Sequence, residues 1–188
     1  MVNEFYKQSA RVVKDFPKPG VNFLDLSPIF KDSWLLTQTR FLLLENIMDI
    51  HPDYVVGIEA RGFITATLLA CTIAPRPGLI LARKKGKLPP PVVSADYVLE
   101  YGETSIEIEK DAIPEGSTIV ISDDVLATGG TAIAVYNLIK QFKPRKVVFS
   151  FLAEISDFEG YQNIVKETGC KVYPALSYTK DQLAELAH

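Results

Sequence analysis

Residues 117–132 constrain the fold more than any other stretch, because they run from a strand into an acidic pair, a small-residue loop and a helix. Ile119, Val120 and Ile121 form a β-branched run suited to a buried strand, and Pro114, Glu115 and Gly116 supply the turn before it. Asp123 and Asp124 close that strand, and the chain then shrinks to Ala127, Thr128, Gly129, Gly130 and Thr131. Ala132, Val135, Tyr136 and Ile139 fall on one helical face directly afterwards. The order sets free backbone N–H groups, two glycines and two hydroxyls at a helix N-terminus, where orphan donors and helix dipole both favour an anion. A carboxylate pair beside an anion socket suits a ligand that carries a phosphate together with vicinal hydroxyls or a metal. A phosphosugar meets that description.

The remaining chain places this unit in a repeating pattern. The spacing predicts a short helix over residues 3–14 with Asn3 as its cap, ended by Phe16, Pro17, Pro19 and Gly20. An extended or irregular segment follows over 21–26, then a helix capped by Ser33 whose apolar positions are Leu36, Leu43, Ile47 and Ile50, stopped by His51 and Pro52. Strands are expected at 54–58, 79–82, 119–121, 146–152 and 170–173, and helices at 63–73, 157–168 and 181–187. Residues 97–101 and 105–109 read as an antiparallel pair. Short strands alternating with helices imply an α/β fold: a single domain over 1–188 with a mainly parallel sheet flanked by helices. In such sheets ligands bind beyond the carboxyl ends of the strands. Glu59 to Gly62, the basic segment from Arg83, and Asp123 to Thr131 each follow a strand, so all three can meet there.

Composition narrows the partners. A net charge of −3 disfavours a general nucleic-acid binder, and no apolar run approaches the roughly 20 residues of a membrane helix. Cys71 and Cys170 lack paired spacing, so buried free thiols and a reducing, cytoplasmic setting are expected. His51 and His188 are the two histidines, poor support for a His-dependent triad or a zinc site.

Each candidate has a plainer alternative. Asp123 and Asp124 could be an acidic turn, with Thr128 capping the helix, yet two carboxylates repel one another at the end of an apolar strand unless a ligand compensates. The stretch is no nucleotide-triphosphatase loop, since it lacks Gly-x-x-x-x-Gly-Lys. Arg61 could make a surface ion pair of small value. Arg83, Lys84, Lys85 and Lys87 could be a solvated charged face, or a glycine- and proline-broken loop able to clamp a highly charged leaving group. Glu100 and Tyr101 are equally at home as routine strand residues. Phe16 and Phe30 read as core, and Phe23 as the best ring for stacking on a planar ligand.

Taken together, these segments resemble the type I phosphoribosyltransferases. The run from Ile119 through Asp123, Asp124, Val125, Leu126 and Ala127 to Thr131 looks like their phosphoribosyl-pyrophosphate motif. Ala127 stands where the hypoxanthine- and guanine-specific members typically carry aspartate, which is similar to the adenine-specific branch. Residues 15–20 with Phe23 and Asp25, residues 59–63, and residues 83–89 leading to 97–102 match in the same order and spacing.

The resemblance implies transfer of a phosphoribosyl group from phosphoribosyl pyrophosphate to adenine, giving AMP and pyrophosphate with Mg²⁺ in a cytoplasmic homodimer. By matching position, Ala127, Thr128, Gly129, Gly130 and Thr131 would hold the 5′-phosphate, and Asp123 and Asp124 the ribose hydroxyls. Glu59, Ala60 and Arg61 would form a pyrophosphate loop, where the family often has a non-proline cis peptide. Arg83, Lys84 and Lys87 would belong to a flexible antiparallel loop that closes over pyrophosphate. Glu100 would serve as acid or base near the purine and Tyr101 would place a hydroxyl near the reacting centre. Residues 1–30 would form an N-terminal helix and hood, with Val21, Asn22, Phe23 and Leu24 over the base and Val125 beneath it. No protein metal ligand is implied, Mg²⁺ being held mainly by substrate and water. The sequence departs from the pattern at Pro90, where glycine is usual, at Leu24, where arginine is frequent, at Thr65 and Ala66, and loosely after Glu154. A xanthine or other purine enzyme, or a non-catalytic regulator that binds the sugar phosphate, are the alternatives; a redox dinucleotide enzyme lacks its Gly-x-Gly-x-x-Gly.

Overall fold

The computed structural model describes residues 2–99 and 102–187. Glu100 and Tyr101, two of the expected site residues, lie outside the described residues. The chain opens with helix α1 (Val2–Ser9) and a small antiparallel pair, β1 (Arg11–Val13) and β2 (Phe23–Asp25). The expected helix over 3–14 is therefore shorter, and Asn3 lies inside it rather than capping it. Val12 turns inward on β1, so the second half of that segment alternates as a strand does. Arg11 Nε donates to the buried Asp25 carboxylate at 3.0 Å, and this pair clips β1 to β2.

Helices α2 (Ser27–Lys31) and α3 (Ser33–Glu45) follow. Asp32, not Ser33, caps α3 by accepting from the Leu35 N–H at 2.8 Å. Its buried face is Leu35, Thr39, Leu42 and Leu43; the helix ends at Glu45, before the proline, and Ile47 and Ile50 enter the core from the turn beyond it. Then come β3 (Tyr54–Ile58), α4 (Gly62–Thr72), β4 (Gly78–Lys84), β5 (Val92–Leu99), β6 (Gly102–Glu109) and β7 (Thr118–Leu126). The chain finishes with α5 (Gly130–Ile139), β8 (Lys146–Ile155), α6 (Gly160–Thr168), β9 (Lys171–Tyr178) and α7 (Lys180–Leu186).

Seven strands form one sheet in the order β5-β6-β4-β3-β7-β8-β9. The five from β4 to β9 run parallel, and the β5–β6 hairpin joins the β4 edge antiparallel through Arg83 opposite Glu107 and Lys84 opposite Ile106. This is the expected α/β architecture. Strand residues alternate between two cores, Val55 and Val120 facing one and Val56, Ile119 and Ile121 the other. The first core gathers α3 and α4, the second α5 and Ile164 of α6. The chain leaves β3 toward β4 on one side and later returns to β7 on the other. That reversal opens a crevice at the carboxyl ends of β3 and β7, the place where such sheets bind ligands.

Among the described residues no helix is long and apolar enough to cross a membrane. Both cysteines are free thiols; Cys71 is exposed, contrary to the expected burial, and Cys170 is half-buried.

Candidate active site

The acidic pair lies within β7, which continues through Leu126, rather than closing the strand. Ladder pairing of Val125 with Ala153 and Leu126 with Glu154 holds the strand past the carboxylates. Asp124 is buried and Asp123 half-buried. Burial, together with the charge of Asp124, holds the Asp123 carboxyl well above its ordinary pKa. Burial also raises Asp124, although the Arg61 guanidinium opposes it. Asp123 Oδ1 accepts the Asp124 N–H at 2.8 Å.

Arg61 reaches across from the loop after β3. Its Nε is 2.9 Å from Asp124 Oδ2, yet among the described residues that oxygen has no aligned hydrogen bond. The guanidinium also lies over the Phe23 ring, 5.1 Å from its centroid, and Phe16 meets the same ring edge-on at 5.1 Å. Arg61 thus touches both Phe23 of the expected hood and the acidic pair. Gly62 permits this approach, since a Cβ there would stand 2.7 Å from the Ser122 carbonyl and 2.8 Å from Asp123 Oδ1.

The peptide between Glu59 and Ala60 is cis. The Glu59 carboxylate accepts from the Lys84 N–H at 3.0 Å and from Arg83 Nε at 3.2 Å. Burial pushes Glu59 up, but these two donors outweigh it and leave its pKa below the ordinary value. Arg83 and Lys84 therefore belong to strand β4, and Arg83 is a paired cation that also donates to the Lys87 carbonyl at 2.8 Å. The exposed basic turn begins only at Lys85, and its Gly86 N–H donates to the buried Glu107 carboxylate at 2.9 Å. Glu107 was not expected at this site; Ile106 and Ile108 mark the opposite face but give no sign that the carboxylate between them is buried.

Ala127, Thr128, Gly129, Gly130 and Thr131 wrap a small hollow of about 110 Å³ with Asp123, Val125 and Phe151. Gly129, not Thr128, takes the N-cap position of α5 at φ +83°, and among the described residues no side chain caps the helix. Its first N–H groups remain available for an anion. Helix α6 supports this loop from behind: Asn163 Nδ2 donates to the Thr128 carbonyl at 3.1 Å, and a Cβ on Gly160 would stand 2.0 Å from the Ala127 carbonyl. Neither residue was expected to bear on the site, and no local pattern in the sequence marks them.

In the hood, Val21, Asn22 and Phe23 are half-buried, whereas the Leu24 side chain is buried in the core and offers a ligand only backbone. Val21 and Asn22 line a hollow of about 310 Å³ with Gly20, Phe158, Lys180 and Leu183, in the size range of small-molecule clefts. Phe158 and Leu183 come from the C-terminal third, where the resemblance is loosest. Val125 packs on the core beside α3 and α4. Among the described residues no three His, Cys, Asp or Glu side chains converge as a metal cage.

Comparison with known proteins gives a consistent result. A family model described as phosphoribosyl transferase domain matches residues 35–169. The chain is 41% identical over 160 residues to the adenine phosphoribosyltransferase of Bacteroides thetaiotaomicron, covering 85% of this chain and 90% of that protein. The solved adenine phosphoribosyltransferase of Rhodothermus marinus superposes with a TM-score of 0.85 at 38% identity, over 94% of this chain and 98% of that one. The enzyme of Saccharomyces cerevisiae, solved with an imino-altritol bisphosphate and adenine, gives 0.83 at 33% identity over 93% and 98%.

Proposed function

The chain belongs to the phosphoribosyltransferase family, and from that premise we propose that it is an adenine phosphoribosyltransferase, transferring the 5-phosphoribosyl group of phosphoribosyl pyrophosphate to adenine with release of pyrophosphate. The observation that carries the reading is the junction of β7 and α5, where an uncapped helix N-terminus and a carboxylate pair, Asp124 buried and Asp123 half-buried, face the Arg61 loop.

The chemistry follows from that junction. The backbone N–H groups at Ala127 to Thr131 would hold the 5′-phosphate, and Asp123 and Asp124 would accept from the ribose hydroxyls. Arg61, with the basic turn beyond Arg83, would take the departing pyrophosphate. Arg83 itself is engaged with Glu59, so its part is to anchor that turn, while Lys84 and Lys87 present exposed charge. Loss of pyrophosphate from the ribose builds an oxocarbenium-like centre, which preorganised charge stabilises and alignment of the incoming nitrogen exploits. Val21, Asn22 and Phe23 would cover the base. Glu100 would accept the proton that adenine loses from N9, with the Tyr101 hydroxyl nearby.

Mg²⁺ fits this site as an ion that keeps several waters and is held mainly by substrate oxygens. Asp124 Oδ2 is buried against Arg61 Nε at 2.9 Å, so the carboxylate that lines the hollow is that of Asp123. Bound with the substrate, the ion would neutralise charge on the pyrophosphate. A homodimer is proposed as well, in keeping with the exposed apolar Ile64, Leu79 and Leu81, and the two free thiols accord with a cytoplasmic setting.

The test is AMP formation from adenine and phosphoribosyl pyrophosphate, with and without Mg²⁺, beside parallel assays with xanthine, hypoxanthine and guanine. Turnover confined to adenine and dependent on the ion is expected. Turnover of xanthine without adenine would overturn the substrate, and tight sugar-phosphate binding without turnover would overturn the enzyme.

A further inference from the structure

Two hydroxyls lie out of reach of any ligand behind the acidic pair. Thr65 and Ser122 are both fully buried. Ser122 immediately precedes Asp123 on β7, and Thr65 stands in the first turn of α4, one turn beyond Arg61. Ser122 Oγ donates to Thr65 Oγ1 at 2.9 Å, and Thr65 Oγ1 donates to the Gly62 carbonyl at 3.1 Å. The relay ties β7 to the start of α4 across 57 residues of sequence.

Packing alone does not call for hydroxyls here. The neighbouring Val55, Val120, Ala66 and Leu69 are buried and apolar, and an apolar pair of similar shape would be about as stable. Apolar contacts are non-directional and let a helix slide along a sheet, whereas a hydrogen bond fixes a separation. The place where this matters is Gly62, whose backbone approaches β7 too closely to admit a methyl group. Arg61 is its direct neighbour, so the reach of Arg61 to Asp124 depends on the same register.

We infer that Thr65 and Ser122 are positioning residues for the transfer reaction, their buried relay setting the spacing between the Arg61 loop and the Asp123–Asp124 pair. The inference rests on the function proposed above. Pyrophosphate and ribose must be held at one spacing for the bond between them to break, and a displacement of about 1 Å can cost on the order of 100-fold in rate.

Thr65→Val strands the Ser122 hydroxyl without a partner. Ser122→Ala leaves the Thr65 donor satisfied and is the milder change. Thr65→Ser keeps the relay, and Thr65→Val with Ser122→Ala removes both hydroxyls together. Melting temperature and steady-state constants for both substrates are measured on each. Either single loss is expected to lower kcat/KM for phosphoribosyl pyrophosphate by about tenfold, with the KM for adenine unchanged and Thr65→Ser like the wild type. The double variant is expected to regain most of the melting temperature but not the kinetics. A double variant that recovers both, or a Ser122→Ala enzyme with unchanged constants, would reduce the relay to structure and overturn the inference. Wild-type protein that makes no AMP would instead overturn the proposed function.

Discussion

Arg61 concentrates the site's electrostatics in one side chain. It faces a carboxylate that burial holds toward its neutral form, and its other side covers Phe23. Arg61→Gln removes the cation opposing that burial and, on the proposed function, a donor to pyrophosphate. It is expected to lower kcat/KM for phosphoribosyl pyrophosphate about 100-fold, roughly 2.7 kcal/mol; a loss under threefold in the same assay would remove Arg61 from pyrophosphate binding. Glu59 behaves oppositely, since the Lys84 N–H and Arg83 outweigh burial and depress its pKa. A depressed carboxylate contributes stability above its unfolded pKa, and that contribution fades as pH falls from the ordinary value toward the folded one. Urea melts on the acid side of about pH 4.3 should therefore show wild type losing more stability than Glu59→Gln; parallel curves would contradict this. For Glu100, Gln should cut kcat far more than sugar-phosphate affinity, and an unchanged kcat would exclude it as the proton acceptor. The residue types at these positions were legible in the sequence, but their pairings were not. Nothing local in Glu59 or Arg83 announces a bond across 24 residues.

Helix α6 shows how one element can shape a loop that belongs to another. Gly160 lies against the Ala127 carbonyl, and Asn163 holds the Thr128 carbonyl. Gly160→Ala would push a methyl into the loop before α5, where the 5′-phosphate is proposed to sit. It is expected to raise the KM for phosphoribosyl pyrophosphate about tenfold and cost about 1–3 kcal/mol in stability. A variant with lower stability but a wild-type KM would show that the loop does not lean on this helix. The element pattern was readable where burial dictates periodicity, as at β3, α4 and β8. It failed where polar residues extend an element, as with the carboxylates inside β7, or where apolar residues serve a turn, as Ile47 and Ile50 do after α3. The α1 segment was misread because its period changes from helix to strand within a dozen residues.

At the scale of the whole molecule, the site straddles the centre of the sheet, with β3 and β7 each contributing to both cores. A ligand that bridges their loops should therefore stabilise the entire domain. AMP at about a hundred times its Kd is expected to add about 2.7 kcal/mol, a rise of roughly 5–10 °C in Tm for a chain of this size. A shift under one degree would mean that these loops fold apart from the rest.

The β5–β6 hairpin leads to a practical consequence. It meets the parallel sheet at one edge through β4 and packs on α5, with Ile106 and Ile108 in the core and Glu107 accepting from the Gly86 N–H. A segment seated in this way is a cassette with two docking faces, the β4 edge and α5. Exchanged for that of a relative with both faces retained, it would leave the five parallel strands unaltered.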